Sequence, residues 1–213
     1  MTVINDILEL YGNRGDWFWE LWLEHIKLAT TALLISGSIG LLLGIFIAEF
    51  PKFVLPIMGT SNLLYTIPAI SLLGMLIPVT GIGNTTAIIA LSIYGVMPML
   101  RNTYIGITTI SADIIEAARG MGSTRLQILL KVKLPLASGV IVAGIRNMVV
   151  MTISVTGIAS FIGAGGLGVA IYRGITIYNP AMTAAGSILI ALTAIICDII
   201  LGILEKKLKS RGI

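Results

Sequence analysis

Long apolar runs separated by short polar breaks dominate the chain. A helix of about 20 apolar residues crosses a bilayer. Five runs reach that length, at roughly 26–50, 53–78, 84–107, 137–162 and 182–204. Pro51 stops the first, and Pro56, Pro68 and Pro78 punctuate the second. Prolines are tolerated inside spans, because neighbouring helices and hydroxyls satisfy the freed backbone groups. The pattern predicts an all-α membrane protein with five transmembrane helices.

The charges between the runs predict an orientation. Arg119, Arg125, Lys131 and Lys133 lie between the third and fourth runs, and Lys206, Lys207, Lys209 and Arg211 follow the fifth. With five spans these segments share one side, and Lys52 joins them. Lys and Arg concentrate on the cytoplasmic side. Residues 205–213 therefore read as a basic cytoplasmic tail, and residues 1–25 as an external or interfacial segment. Asp6, Glu9, Asp16, Glu20 and Glu24 there outweigh Arg14. No basic start or cleavage signal opens the chain, so the first span is expected to act as an uncleaved insertion signal. Trp17, Trp19 and Trp22 fit a helix lying at the outer interface.

Composition narrows the chemistry. The 213 residues are 56% hydrophobic and 11% charged, with a mean hydropathy of +1.00. Soluble domains carry about 25% charged residues, so one membrane domain over 26–204 is expected, without a soluble domain. Cys197 is the only cysteine, which excludes an internal disulfide, and it reads as a packing residue. His25 is the only histidine and reads as interfacial or packed. No catalytic set and no clustered metal ligands are assembled from these residues. No G-x-x-x-x-G-K-[ST] occurs, so any ATP hydrolysis must come from a partner. No nucleic-acid partner is expected.

The charged loop at 108–136 contains "SADIIEAARGMGSTRLQILLKVKLP". A short helix is predicted over 111–119, broken by Gly120 and Gly122. A second starts near Ser123 or Thr124, where Thr124 and Gln127 fit a capping box. Leu126, Leu129 and Leu130 give it one apolar side, and Leu134-Pro135 is expected to end it. Two readings of the residues stand. The loop is a compact knob for a groove on a cytoplasmic partner, or an amphipathic segment on the inner leaflet with its cations toward lipid phosphates.

The spacing Glu116-Ala117-Ala118, Gly122, Val132, Leu134-Pro135 resembles the signature of permease subunits of binding-protein-dependent ABC importers. Val132 stands where that signature usually has Ile. The resemblance covers about residues 20–205 and implies a type I ABC importer permease fold. It makes the loop a coupling helix seated in an ATPase subunit, with Glu116, Ala117, Ala118, Gly122, Leu134 and Pro135 as its marked residues. MgATP would sit on that partner, and this chain would bind no cofactor and no metal. The other implied partners are a second permease subunit, identical or closely homologous, and an external substrate-binding protein. The implied location is the plasma membrane of a prokaryote, where membrane lipid surrounds the chain.

"FIGAGGLG" places Gly163, Gly165, Gly166 and Gly168 in a formal G-x-G-x-x-G. The dinucleotide fingerprint needs a strand before it and a helix after it. Here it follows a span, and close helix packing at an outer turn is the better reading. "ASFIGAGGLG" and "LRNTYIGI" resemble the glycine betaine, carnitine and choline subset of these permeases. Methionine-importer permeases share the five-span plan and are the alternative. An ATP-independent secondary transporter or channel is the reading from a different class; only Asp198 offers the intramembrane acid such carriers use.

Tyr65, Thr66, Tyr94 and Ser154 are candidates for the translocation path, since quaternary ammonium solutes favour aromatic faces. Thr152, Ser154 and Thr156 cannot all share one helical face. Arg146 and Asp198 fall inside spans four and five at similar depths. They either pair or snorkel separately to the inner interface.

Overall fold

The computed structural model describes residues 3–209. Among the described residues every regular element is helical. The helices are α1 (Val3–Asn13), α2 (Gly15–Glu49), α3 (Val54–Thr66), α4 (Ala69–Thr80), α5 (Asn84–Thr108), α6 (Ala112–Gly120), α7 (Arg125–Ile128), α8 (Leu134–Ala159), α9 (Gly168–Thr176) and α10 (Pro180–Lys209). Packing runs laterally: α2 lies on α5, α5 on α8, and α8 on α10.

Small residues let these helices approach. Ala32, Ser36, Gly40 and Gly44 recur every four residues along α2 and are all buried. A Cβ at Gly40 would lie 2.7 Å from the Met99 Cβ, and one at Gly44 2.6 Å from the Thr103 Cβ. Opposite them on α5, a Cβ at Gly144 of α8 would lie 2.6 Å from the Asn102 Cβ. Lipid tails are as apolar as leucine, so such close van der Waals contact is what holds helices together in a bilayer.

Among the described residues, three helical stretches, Gly15–Glu49, Arg125–Ile162 and Pro180–Leu208, are long and apolar enough to cross a membrane, and a fourth crossing arises if the bent pair α3–α4 is one span. At 25 residues α5 has the length of a span, but it is more polar. It lies at the centre of the bundle, where protein rather than lipid surrounds Thr86, Ser92 and Thr103.

Three local expectations change. The tryptophan segment is not a separate surface helix: Trp17, Trp19 and Trp22 belong to α2, because no Pro or Gly interrupts the chain between Gly15 and Gly37. The run 53–78 is not one straight helix. It bends by 98° between α3 and α4. Pro68 drives Ile67 to an extended backbone at φ −65°, ψ 128°, and the Tyr94 hydroxyl donates to the Ile67 carbonyl. Leu134-Pro135 does not end a helix. A π-helical turn at Leu129–Lys133 joins α7 to α8, and the Leu134 N–H donates five residues back to the Leu129 carbonyl. The wider turn absorbs the missing amide and the ring of Pro135, which would otherwise clash in the α-helical ladder.

His25 is fully buried, and its Nε2 lies 3.0 Å from the Ile153 carbonyl oxygen. Cys197 is half-buried against the cluster formed by Phe18, Ile153 and Leu167.

Candidate functional site

The charged loop folds into a knob of two short helices. Ser111 caps α6 by accepting the Asp113 N–H at 3.3 Å. Asp113 in the first turn and Arg119 in the last both complement the helix dipole. The helix ends in a Schellman turn: Ser123 N–H reaches the Ala118 carbonyl at 3.2 Å, while Gly122 sits at φ +84°. Only a glycine enters that conformation freely. Thr124 and Gln127 then form a complete capping box, with bonds of 2.8 and 3.3 Å.

The knob's underside rests on the end of α2. Ala118 and Ile128 are buried, and Lys133 pairs with Glu49. Glu116, Ala117 and Pro135 are exposed, and Leu134 and Val132 are half-buried. Met121, Leu126 and Leu130 also face outward, at 80%, 63% and 54% exposure. A charged loop with its apolar side chains turned away from its own bundle is a surface suited to a partner.

Within the bundle, Tyr65 and Tyr94 meet edge to face with ring centroids 5.9 Å apart. Tyr94 is buried and Tyr65 is open on one side. The hydroxyls of Thr66 and Ser154 bond back into their own helices, to Leu63 and Val150, and both side chains are exposed. Thr152 and Thr156 are buried on the other face of α8.

The structure brings Arg146 and Asp198 together. Arg146 Nε donates to Asp198 Oδ1 at 2.6 Å, and Nη2 to Oδ2 at 2.7 Å. The planar fork matches the carboxylate at both oxygens. Arg146 Nη1 also reaches Glu205 at 3.2 Å. Sequence reading missed Glu205 because it counted that residue with the basic tail. The signal was the spacing of Asp198, Gly202 and Glu205, which places all three on one helical face. Gly202 leaves the space: a Cβ there would stand 3.3 Å from the guanidinium carbon.

At the opposite end of α2, the glycine turn is tied to two residues that sequence reading did not single out as a site. Gly165 N–H donates to Asn84 Oδ1 at 3.0 Å, and Gly166 N–H to Glu24 Oε2 at 3.1 Å. Gly163 and Gly166 have φ of +73° and +89°. No strand precedes the turn, so the dinucleotide context is absent there.

A bundle of close-packed apolar helices carrying an exposed charged knob fits a membrane subunit that works with a partner. Residues 39–210 match the family model described as the binding-protein-dependent transport system inner membrane component, and the chain belongs to that family. It is 37% identical to the glycine betaine/carnitine/choline transport system permease protein OpuCD of Bacillus subtilis, over 98% of this chain and 91% of that one. It is 38% identical to the osmoprotectant import permease protein OsmW of Salmonella typhimurium, over 98% and 99% of the two chains. It is also 34% identical to the carnitine transport permease protein OpuCD of Listeria monocytogenes, over 98% and 94%. Among solved structures, an inward-facing MetNI methionine ABC transporter superposes with a TM-score of 0.82 at 23% identity, over 90% of this chain and 95% of that one. An amino acid ABC transporter with histidines gives 0.73 at 21%, over 99% and 100%. These two establish the fold, that of a type I ABC importer permease. The chain is a non-catalytic permease subunit of an ABC importer in the cell membrane, with ATP hydrolysis on a separate subunit.

Proposed function

We propose that this subunit forms the translocation pathway for a compatible solute such as glycine betaine, carnitine or choline, delivered by an external binding protein. The observation that carries this reading is similarity across 98% of the chain to permeases named for those solutes. In this reading α5 is the third of five spans and the bent pair α3–α4 the second, with the N-terminus outside and the C-terminus cytoplasmic. A second permease subunit completes the pathway.

The knob at α6–α7 is the contact with the ATPase dimer. Glu116 and Ala117 meet the partner, Ala118 supports them from below, and Gly122 sets the turn. The unbroken path from α7 through the π turn into α8 supports this role. Movement of the knob when the ATPases close passes directly along α8 to the Arg146–Asp198 pair. Binding-protein docking at one end and ATP-driven closure at the other would then bias one bundle between two facings. Tyr65 and Tyr94 offer an aromatic patch to a quaternary ammonium group on the path, with Thr66 and Ser154 as exposed polar neighbours of the lipid-facing or pathway surface.

The test is reconstitution with the neighbouring ATPase and binding protein in proteoliposomes. ATP-dependent accumulation of choline, carnitine or glycine betaine is expected. Accumulation of methionine in their place would return the amino-acid reading. Uptake by this chain alone, without ATP, would return the secondary-transporter reading.

A further inference from the structure

Glu24, Asn84, Ser160, Gly165, Val169 and Tyr172 line a cavity of about 520 Å³ at the end of the bundle remote from the knob. Ligand sites commonly occupy about 300–1,000 Å³. The cavity joins one carboxylate to one aromatic ring. Tyr172 is 45% exposed, and Phe161 packs against it edge to face with centroids 5.2 Å apart, which fixes the ring. Glu24 is half-buried, and among the described residues it forms no ion pair. Its oxygens instead face N–H donors: Gly166 N–H at 3.1 Å and the Asn84 side-chain amide at 3.5 Å. These neutral donors hold the carboxylate in place but leave its charge uncompensated.

We propose that this cavity is a binding site for the quaternary ammonium group of the solute. A quaternary ammonium carries no N–H. It therefore does not compete with Gly166 and Asn84 for the oxygens of Glu24, and it needs only a nearby negative charge and an aromatic surface. Glu24 supplies the first and Tyr172 the second. Each Glu24 oxygen keeps a lone pair beyond the bond it accepts, so it is the ring of Tyr172 beside the carboxylate that favours a quaternary over a primary ammonium. Gly165 adds a steric reason for the arrangement: a Cβ there would collide with the Glu24 carboxylate. The site rests on the osmoprotectant reading above and places a solute contact on the permease itself.

The experiment uses the assembled transporter in nanodiscs, without binding protein. Choline and its uncharged isostere 3,3-dimethylbutanol are compared by saturation transfer to their methyl protons. Choline is expected to bind about tenfold more tightly than the isostere. That preference should vanish in Glu24→Gln, which keeps an acceptor for Gly166, and weaken in Tyr172→Leu. Phe53→Leu, an exposed aromatic at the knob end of the bundle and outside this cavity, should leave it intact. If Glu24→Gln fails to fold, Tyr172→Leu decides alone, because its ring is exposed. Equal binding of choline and isostere, or a preference unchanged in Tyr172→Leu, overturns the proposal. Titration of the neighbouring binding protein separates the two readings. If that protein binds choline and the permease does not, only this site fails; if it binds no quaternary ammonium, the osmoprotectant reading fails.

Discussion

The two ends of α2 use the same materials for opposite purposes. Toward each end a carboxylate of α2 is met by a distant segment of the chain that also carries a glycine turn. At the first end Glu24 receives Gly166, and every glycine of the turn is pressed against something. A Cβ at Gly163 would lie 2.8 Å from Ile82 Cγ2, one at Gly166 3.1 Å from His25 Cα, and one at Gly168 2.7 Å from Ser160 Oγ. At the second end Glu49 pairs with Lys133 below the knob, yet a Cβ at Gly120 or Gly122 would meet nothing within 4 Å. The glycines of the first turn serve packing inside this chain. Those of the knob are not needed for any contact the chain makes with itself, and Gly122 is fixed by its backbone angle alone. Close packing at one end and open space at the other is the arrangement expected if the second end is finished by a partner.

The comparison breaks most sharply at Gly168. Gly168→Ala would push a methyl group into the Gly157 carbonyl as well as Ser160. Overpacking of this kind costs about 1–3 kcal/mol, and more where backbone must move. The thermal midpoint in detergent should fall clearly, and uptake with it. Gly122→Trp should behave in the reverse way. The indole meets only open space in the isolated subunit, so membrane insertion should persist with a smaller loss of stability, about 1–2 kcal/mol from the positive φ. Uptake should be abolished, and ATPase activity should cease to respond to binding protein. Normal uptake in this variant would remove the knob from the ATPase contact.

How much of this was legible in the sequence follows from the same contrast. The capping box at Thr124 and Gln127 and the break at Gly122 were readable, because they depend on residues within one turn of each other. Family membership was readable too, since the Glu-Ala-Ala spacing is local. What sequence reading missed was carried by distant pairs. Glu24 and Gly166 are separated by 142 positions, and no periodicity links them. Glu49 and Lys133 are likewise far apart, so the ion pair beneath the knob had no local sign. The error at Leu134-Pro135 has another cause. Proline disrupts an α-helix, but a π turn widens the ladder and lets the helix continue, and propensity rules do not include that escape.

A smaller effect is expected at Arg146 and Asp198, which form the strongest polar link between α8 and α10. Asp198→Asn should keep one hydrogen bond and lower uptake more than it lowers the thermal midpoint. Exchange of the two charges, Arg146→Asp with Asp198→Arg, should recover part of the uptake lost in either single variant. Full recovery is not expected, because Glu205 would then face a carboxylate in place of its guanidinium partner. A double variant no better than the worse single one would show that the two helices do not depend on this pair.

The least disturbance is expected at Gly120, the last residue of α6. Its backbone is not among those with positive φ, and a Cβ there meets nothing within 4 Å. Gly120→Ala should therefore leave the isolated subunit unchanged or stabilise it by at most about 1 kcal/mol, the difference in helix propensity. The informative measurement is the same substitution in the assembled transporter. If uptake falls while the isolated subunit melts as before, the surface at Gly120 is covered by the ATPase as closely as the other turn is covered by Glu24 and His25. If uptake is also unchanged, the partner's approach ends short of Gly120, and the contact narrows to Glu116, Ala117 and the turn at Gly122.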